Sequence, residues 1–180
     1  MKNLKLNTKK VVVALFNTAL SLAFFFNLRR SLLRATGCRI GTKTTVHRRV
    51  VFFSFGKFSI GKNCTVNYNC YMDNRAGISI GDNVNISHNT KIYTLGHDID
   101  DPMSNTVGKP VVIGDNAWIF PNVMIMPGVT IGKGAVIYPG SVVTRNVEEY
   151  SIAGGNPAKH IRFRNQNILY SADFPIWFAL

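Results

Sequence analysis

Ile113-Gly114-Asp115-Asn116-Ala117-Trp118-Ile119 opens the stretch that decides the fold, because a branched aliphatic then returns every sixth residue, at Ile125, Ile131, Ile137 and Val143. Four places after each sits a small or β-branched residue: Ala117, Val123, Val129, Ala135, Ser141 and Val147. A period of six fits neither the 3.6 of a helix nor the 2 of an amphipathic strand. It fits a solenoid with three flat faces of short strands, each face pointing one large side chain inward. On that reading the 18 residues from Ile113 to Ile131 make one coil. Stacked coils satisfy one another's backbone hydrogen bonds and bury a column of aliphatic side chains.

The same phase runs upstream. Ile60, Val66 and Met72 lead, with Cys64, Cys70 and Ala76 in the small position. After a slip, Ile80, Ile86 and Ile92 resume, with Val84 and Thr90, while Ile40 and Val46 with Thr44 form a degenerate first turn. The glycine after Ile40, Ile60, Ile80, Ile113 and Ile131 suits corners of positive φ. Asp82-Asn83 and Asp115-Asn116 suit turns for the same reason. Cys64 and Cys70 occupy the inward small position, which makes them core thiols. With Cys38 the count is three and no CxxC pair exists, so neither a disulfide framework nor a zinc ribbon is expected. All three read as reduced thiols in a cytosolic compartment.

The net charge of +12 is unevenly placed. Residues 1–72 hold 13 Lys/Arg and no acid, the first being Asp73, whereas residues 73–180 hold 8 Lys/Arg against 9 Asp/Glu. A basic end beside an apolar run points to anionic lipid before nucleic acid, for which no aromatic–basic interleaving is present. Val11 to Leu28 is that run, broken only by Asn17, Thr18, Ser21 and Asn27 and flanked by Lys9, Lys10, Arg29, Arg30 and Arg34. As a helix it is roughly 27 Å long, just short of a hydrocarbon core. Cations at both ends give no inside bias for a spanning helix, and no small-residue site supports a cleaved signal. A helix lying in the membrane interface is preferred, with Asn17, Thr18 and Ser21 on one face with Lys10. Packing on the protein's own body or on partner subunits, and a spanning helix, are the alternatives. The expected localisation is the cytoplasmic face of the inner membrane.

Four segments together resemble the hexapeptide-repeat acyltransferases: Ile113 to Ile119, Pro127-Gly128-Val129-Thr130-Ile131-Gly132, Gly140-Ser141-Val142-Val143-Thr144 and Ala153-Gly154-Gly155-Asn156-Pro157-Ala158-Lys159. The resemblance spans about residues 38–162 and is closest to the maltose/galactoside O-acetyltransferase branch. The basic N-terminus is similar to members that acetylate capsular, exopolysaccharide or lipopolysaccharide sugars, such as the colanic acid acetyltransferases. It implies a left-handed parallel β-helix, a homotrimer with active sites between neighbouring subunits, and acetyl-CoA as donor. It also implies a sugar or lipid-linked saccharide as acceptor, and no metal. The expected division is a membrane-associating helical segment 1–37, a β-helix 38–162 with an excursion at 98–112, and an apolar tail 163–180.

Moving an acetyl group onto an alcohol calls for a general base near neutrality, which histidine supplies. Of His47, His88, His97 and His160, only His97 breaks the hexapeptide rhythm, at the start of the long excursion. The resemblance assigns it the catalytic role. His88 reads as outward packing, His47 as part of the basic surface, and His160 as a possible edge of the coenzyme site. The resemblance also implies Asn67 for acceptor binding, with Asn69 and Asp73 in the same cleft. Arg75 stands where some relatives carry an acid. For the coenzyme it implies Trp118, Thr144, Arg145, Lys159 and Arg162. An amino-sugar N-acetyltransferase, a γ-class carbonic anhydrase-like enzyme and a non-catalytic scaffold are the alternatives. His88 and His97 lack the close histidine spacing that the zinc class uses.

Overall fold

A computed structural model describes residues 2–179. From Arg39 onward the chain winds into a parallel β-solenoid with three faces. The first stacks Arg39–Ile40, Phe58–Ile60, Ile78–Ile80, Val111–Ile113 and Thr130–Ile131. The second stacks Thr45–Val46, Thr65–Val66, Asn85–Ile86, Trp118–Ile119, Val136–Ile137 and Ser151–Gly155. The third stacks Val51–Phe52, Tyr71–Met72, Lys91–Ile92, Met124–Ile125 and Val142–Val143. Pairing within these stacks is parallel and in register, Ile80 with Ile113 and Ile113 with Ile131 for example. The aliphatic at the end of each strand points inward. Met72, Ile86, Ile92, Ile119, Ile125, Ile131 and Ile137 are fully buried, each contributing about 1.5–3 kcal/mol through burial.

The corners correct the reading of the glycines. Gly41, Gly61, Gly81, Gly114 and Gly132 have no positive φ; they are small because the next coil leaves no room. A Cβ on Gly61 would meet the Gly81 carbonyl oxygen at 2.7 Å, and one on Gly132 the Glu149 nitrogen at 2.5 Å. The left-handed positions fall two residues later, at Lys43, Asn63, Asn83 and Asn116, and at the next corner at Asn69, Asn89 and Asn122. Asparagine tolerates that conformation better than other residues with a Cβ. Cys64 and Cys70 are buried in the core as read, Cys38 is buried as well, and burial pushes the thiols up, Cys64 to about 11 and Cys70 to about 12.

The excursion begins earlier in the chain than the expected 98–112 and is itself regular. It is an antiparallel hairpin of Leu95–His97 with Thr106–Gly108, and the solenoid resumes at Val111. The other end of the prism closes with Ser151–Gly155 folding back on Ala158–Phe163. The tail then runs back along the second face: Tyr170 packs on Trp118 at 5.0 Å, Asn83 donates to the Tyr170 carbonyl, and Thr65 donates to that of Ala172.

Residues before the solenoid form two helices, α1 (Lys2–Leu22) and α2 (Phe26–Ala35), rather than one. Among the described residues no helix is long and apolar enough to cross a membrane. Helix α1 packs on the first coil through Val13, Phe16, Asn17 and Leu20. Asn17 both accepts from the Phe52 N–H and donates to the Phe52 carbonyl, each at 2.9 Å. The polar face expected to meet water is therefore split: Asn17 turns toward the body, and Thr18 bonds back to Ala14. Arg29 of α2 is fully buried, with no carboxylate paired to it among the described residues. It donates to the carbonyls of Leu20 and Ala23, at the end of α1, and to those of Val46 and His47. His47 is not a surface residue; it is 1% exposed, between Phe26 and Phe174.

Candidate active site

His97 stands on the first strand of the hairpin, paired opposite Thr106 and exposed. Its Nδ1 lies 2.7 Å from the Ser104 carbonyl oxygen. A carbonyl only accepts, so Nδ1 carries the proton and Nε2 presents a free lone pair. The loop that supplies this carbonyl is held by Asp101. Its carboxylate accepts from the backbone N–H of Met103 and from the N–H and side-chain amide of Asn105, while its carbonyl accepts from Ser104 N–H. Those donors, Met103 first, hold the Asp101 carboxyl below the usual range. The hairpin thus fixes the imidazole through one hydrogen bond and the hydrogen-bonded loop behind it.

Beside His97 opens a groove of about 800 Å³, lined by Tyr93, Leu95, Val107, Lys109 and Met126 among others. Mostly apolar walls with one imidazole and one ammonium suit a reaction that needs water kept away. Tyr93 and Met126 belong to a column on the third face. Strand register aligns Phe53, Asp73, Tyr93, Met126 and Thr144, one per coil. Coils in such a stack are about 4.8 Å apart, so Thr144 sits one coil beyond Met126, and Phe53 two coils before Tyr93. Toward the first coil Tyr71, from the neighbouring position of the strand, joins the rings of this column: Phe53 to Tyr71 is 6.5 Å and Tyr71 to Tyr93 is 5.7 Å between centroids.

Asp73 does not open onto this surface. It is fully buried and accepts two hydrogen bonds from Arg75, at 2.7 and 2.8 Å. Burial pulls its carboxyl up, but the Arg75 guanidinium and backbone donors hold it below the usual range. The exposed partner is Arg75, whose guanidinium carbon lies 4.0 Å from the centre of the Phe53 ring. Asn67 and Asn69 lie on the corner between the second and third faces, a face-width from the hairpin that carries His97. Asn67 bonds within its own stack, to Asn85 and to the Ile86 carbonyl. A single chain therefore does not bring Asn67 and His97 together.

The coenzyme candidates divide likewise. Arg145 and Lys159 line one cavity of about 330 Å³ at the far end of the solenoid, with Ser151, His160 and Phe163. Thr144 precedes Arg145, and Arg162 is exposed on the closing hairpin. His160 there shares a 2.7 Å hydrogen bond with Ser151. Trp118 lies apart, on the second face against Tyr170. Sequence reading missed Tyr93, Lys109, Met126 and the Phe53–Tyr71 pair. The signal for all but Lys109, which follows the hairpin, was the outward position flanking the inward residue of each third-face strand. His88 stacks on Tyr68 at 5.1 Å and is half-buried. Among the described residues no group of three His, Cys, Asp or Glu is placed to hold a metal.

The family model described as bacterial transferase hexapeptide (six repeats) matches residues 110–145. That for the hexapeptide repeat of succinyl-transferase matches residues 58–93. A putative acetyltransferase of Saccharomyces cerevisiae is 48% identical over 106 residues, 57% of this chain, which spans only 54% of that protein. The galactoside O-acetyltransferase of Escherichia coli is 35% identical over 138 residues, 74% of this chain and 68% of that protein. Among solved structures, a hexapeptide-repeat acetyltransferase of Vibrio cholerae complexed with acetyl coenzyme A superposes with a TM-score of 0.81. It is 31% identical, with 88% of each chain covered.

Proposed function

The chain belongs to the hexapeptide-repeat family of acyl-CoA-dependent acetyltransferases, and from that premise we propose that it acetylates a hydroxyl group of a sugar. The observation that carries the reading is the free Nε2 of His97, held by Ser104 at the mouth of the Tyr93–Met126 groove. Nε2 takes the proton of the acceptor hydroxyl as its oxygen attacks the thioester carbonyl. The tetrahedral intermediate then collapses, and the thiolate of coenzyme A leaves with that proton. The aromatic cluster of Phe53, Tyr71 and Tyr93 offers the acceptor apolar rings on the first-coil side. Thr144, Arg145 and Lys159 offer hydrogen bonds and cations to the coenzyme on the other side.

Two finer readings go with this. The first is a homotrimer, in which the Asn67 corner and Trp118 of one copy would face the hairpin of the next. Its support is that one chain leaves these residues apart. The second is that the acceptor belongs to a cell-surface polysaccharide. Arg75 beside Phe53 has its charge balanced by Asp73, and its remaining N–H groups offer the acceptor side hydrogen-bond donors for sugar oxygens. The test is acetyl-CoA turnover, read as free thiol, against neutral and anionic sugars, with mass spectrometry of the products. An acetylated sugar whose formation falls by about two or more orders of magnitude in His97→Ala is the expected result. Full turnover in that variant, or acetylation of amines only, would displace the assignment.

A further inference from the structure

The N-terminal helices and the C-terminal tail meet and build one exposed apolar surface. Ala179 N–H donates to the Phe24 carbonyl at 2.7 Å, and Phe26 N–H to that of Trp177 at 3.2 Å. The rings of Phe24 and Phe178 stack at 5.5 Å, and those of Phe25 and Trp177 at 6.4 Å. Yet Phe24 and Phe25 remain about half exposed, and Trp177 is 74% exposed. The surface continues onto α1. With Val13, Asn17 and Leu20 turned to the body, the opposite stripe carries Leu15 at 65% and Leu22 at 73% exposure. Large apolar side chains exposed together mark a docking surface rather than scattered surface residues.

Charge identifies the occupant. Lys5, Lys9 and Lys10 lie exposed on the same helix, and no acid occurs before Asp73. Asp173, the one acid of the tail, lines a small cavity with Arg30 and Lys43. A second copy docked on this stripe would bring like charges together, whereas an anionic lipid headgroup layer would neutralise them. Trp177 lines that cavity with Arg30 and Lys43, and Trp beside cations is also the composition that sits at the boundary of headgroups and acyl chains. We infer that the surface formed by Leu15, Leu22, Phe24, Phe25 and Trp177 docks the protein on a bilayer containing anionic phospholipid. Helix α1 would then lie along the surface rather than cross it. The inference is independent of the transfer chemistry, because none of these residues lines the His97 groove.

The test uses the full chain with vesicles of phosphatidylcholine alone or with about a third phosphatidylglycerol. Sedimentation with the anionic vesicles only, and a blue shift of Trp177 emission that Trp177→Phe abolishes, are expected. Substituting Lys5, Lys9 and Lys10 by Gln is expected to weaken binding about a hundredfold. Leu15→Glu with Leu22→Glu is expected to remove it, at unchanged circular dichroism. Should that pair misfold, Phe25→Ser with Trp177→Ser asks the same question. Protein left in the supernatant with anionic vesicles would overturn the inference. So would undiminished binding by the folded Glu or Ser variants, or a change of oligomer size, without a change in lipid binding, when the stripe is altered.

Discussion

His47 makes the stability of this protein depend on pH in a window that can be worked out. The imidazole is 1% exposed, and neither ring nitrogen has a hydrogen-bond partner. Phe26 and Phe174 each approach it edge-on at 4.9 Å between centroids. Burial in this apolar slot, and secondarily the Arg29 charge, lower its pKa from 6.5 to about 4. In the unfolded chain the same group titrates near 6.5. Between those values the unfolded state binds the extra proton, so stability is lost as pH falls from 6.5 to 4 and is unaffected above 6.5. The gap corresponds to about 3 kcal/mol at full development. Urea denaturation at pH 7 and pH 4.5 reads the loss, with His47→Leu as the reference that lacks the titrating group. The wild type is expected to lose about 2 kcal/mol more than the variant over that interval. The variant should also gain about 1 kcal/mol at pH 7, because it removes two unpartnered buried nitrogens. Equal losses in the two proteins, or a His47 ring titrating near 6.5 in the folded state, would refute the reasoning.

Three further outcomes follow from named contacts. Asp101→Ala frees the loop that holds Ser104 against His97, and kcat is expected to fall about tenfold or more at little cost in KM. The readout specific to positioning is the Asp101→Asn variant, which keeps an acceptor and should recover part of the rate. Arg145→Ala with Lys159→Ala is expected to raise the KM for acetyl-CoA about tenfold or more, with acceptor KM unchanged, in initial-rate kinetics. Gly61→Ala sets a Cβ 2.7 Å from the Gly81 carbonyl oxygen, and a loss of about 1–3 kcal/mol is expected in thermal unfolding.

How much of this was legible depends on whether the signal is local. The period of six is local, and from it the three faces, the 18-residue coil and the buried aliphatic column all follow. Ile113 over Ile131 is where the spacing put it. Glycine misled because two physical causes select it. The sequence pattern suggested positive φ, but at Gly61 and Gly114 the cause is the backbone of the adjacent coil, a contact between residues far apart in sequence. His47 misled for the same reason. Its neighbours Arg48 and Arg49 suggested a basic surface, while Phe26 and Phe174, which bury it, come from opposite ends of the chain. His97 could be singled out because it breaks the rhythm, but its Ser104 partner could not, since the loop's turn is set by Asp101 and Asn105 together. The resemblance placed Asp73 in the acceptor cleft; the alternation of strand and corner instead buries it under Arg75. What faces outward there is thus a guanidinium stacked on Phe53 whose charge the buried carboxylate balances, so the pair presents hydrogen-bond donors rather than a net charge.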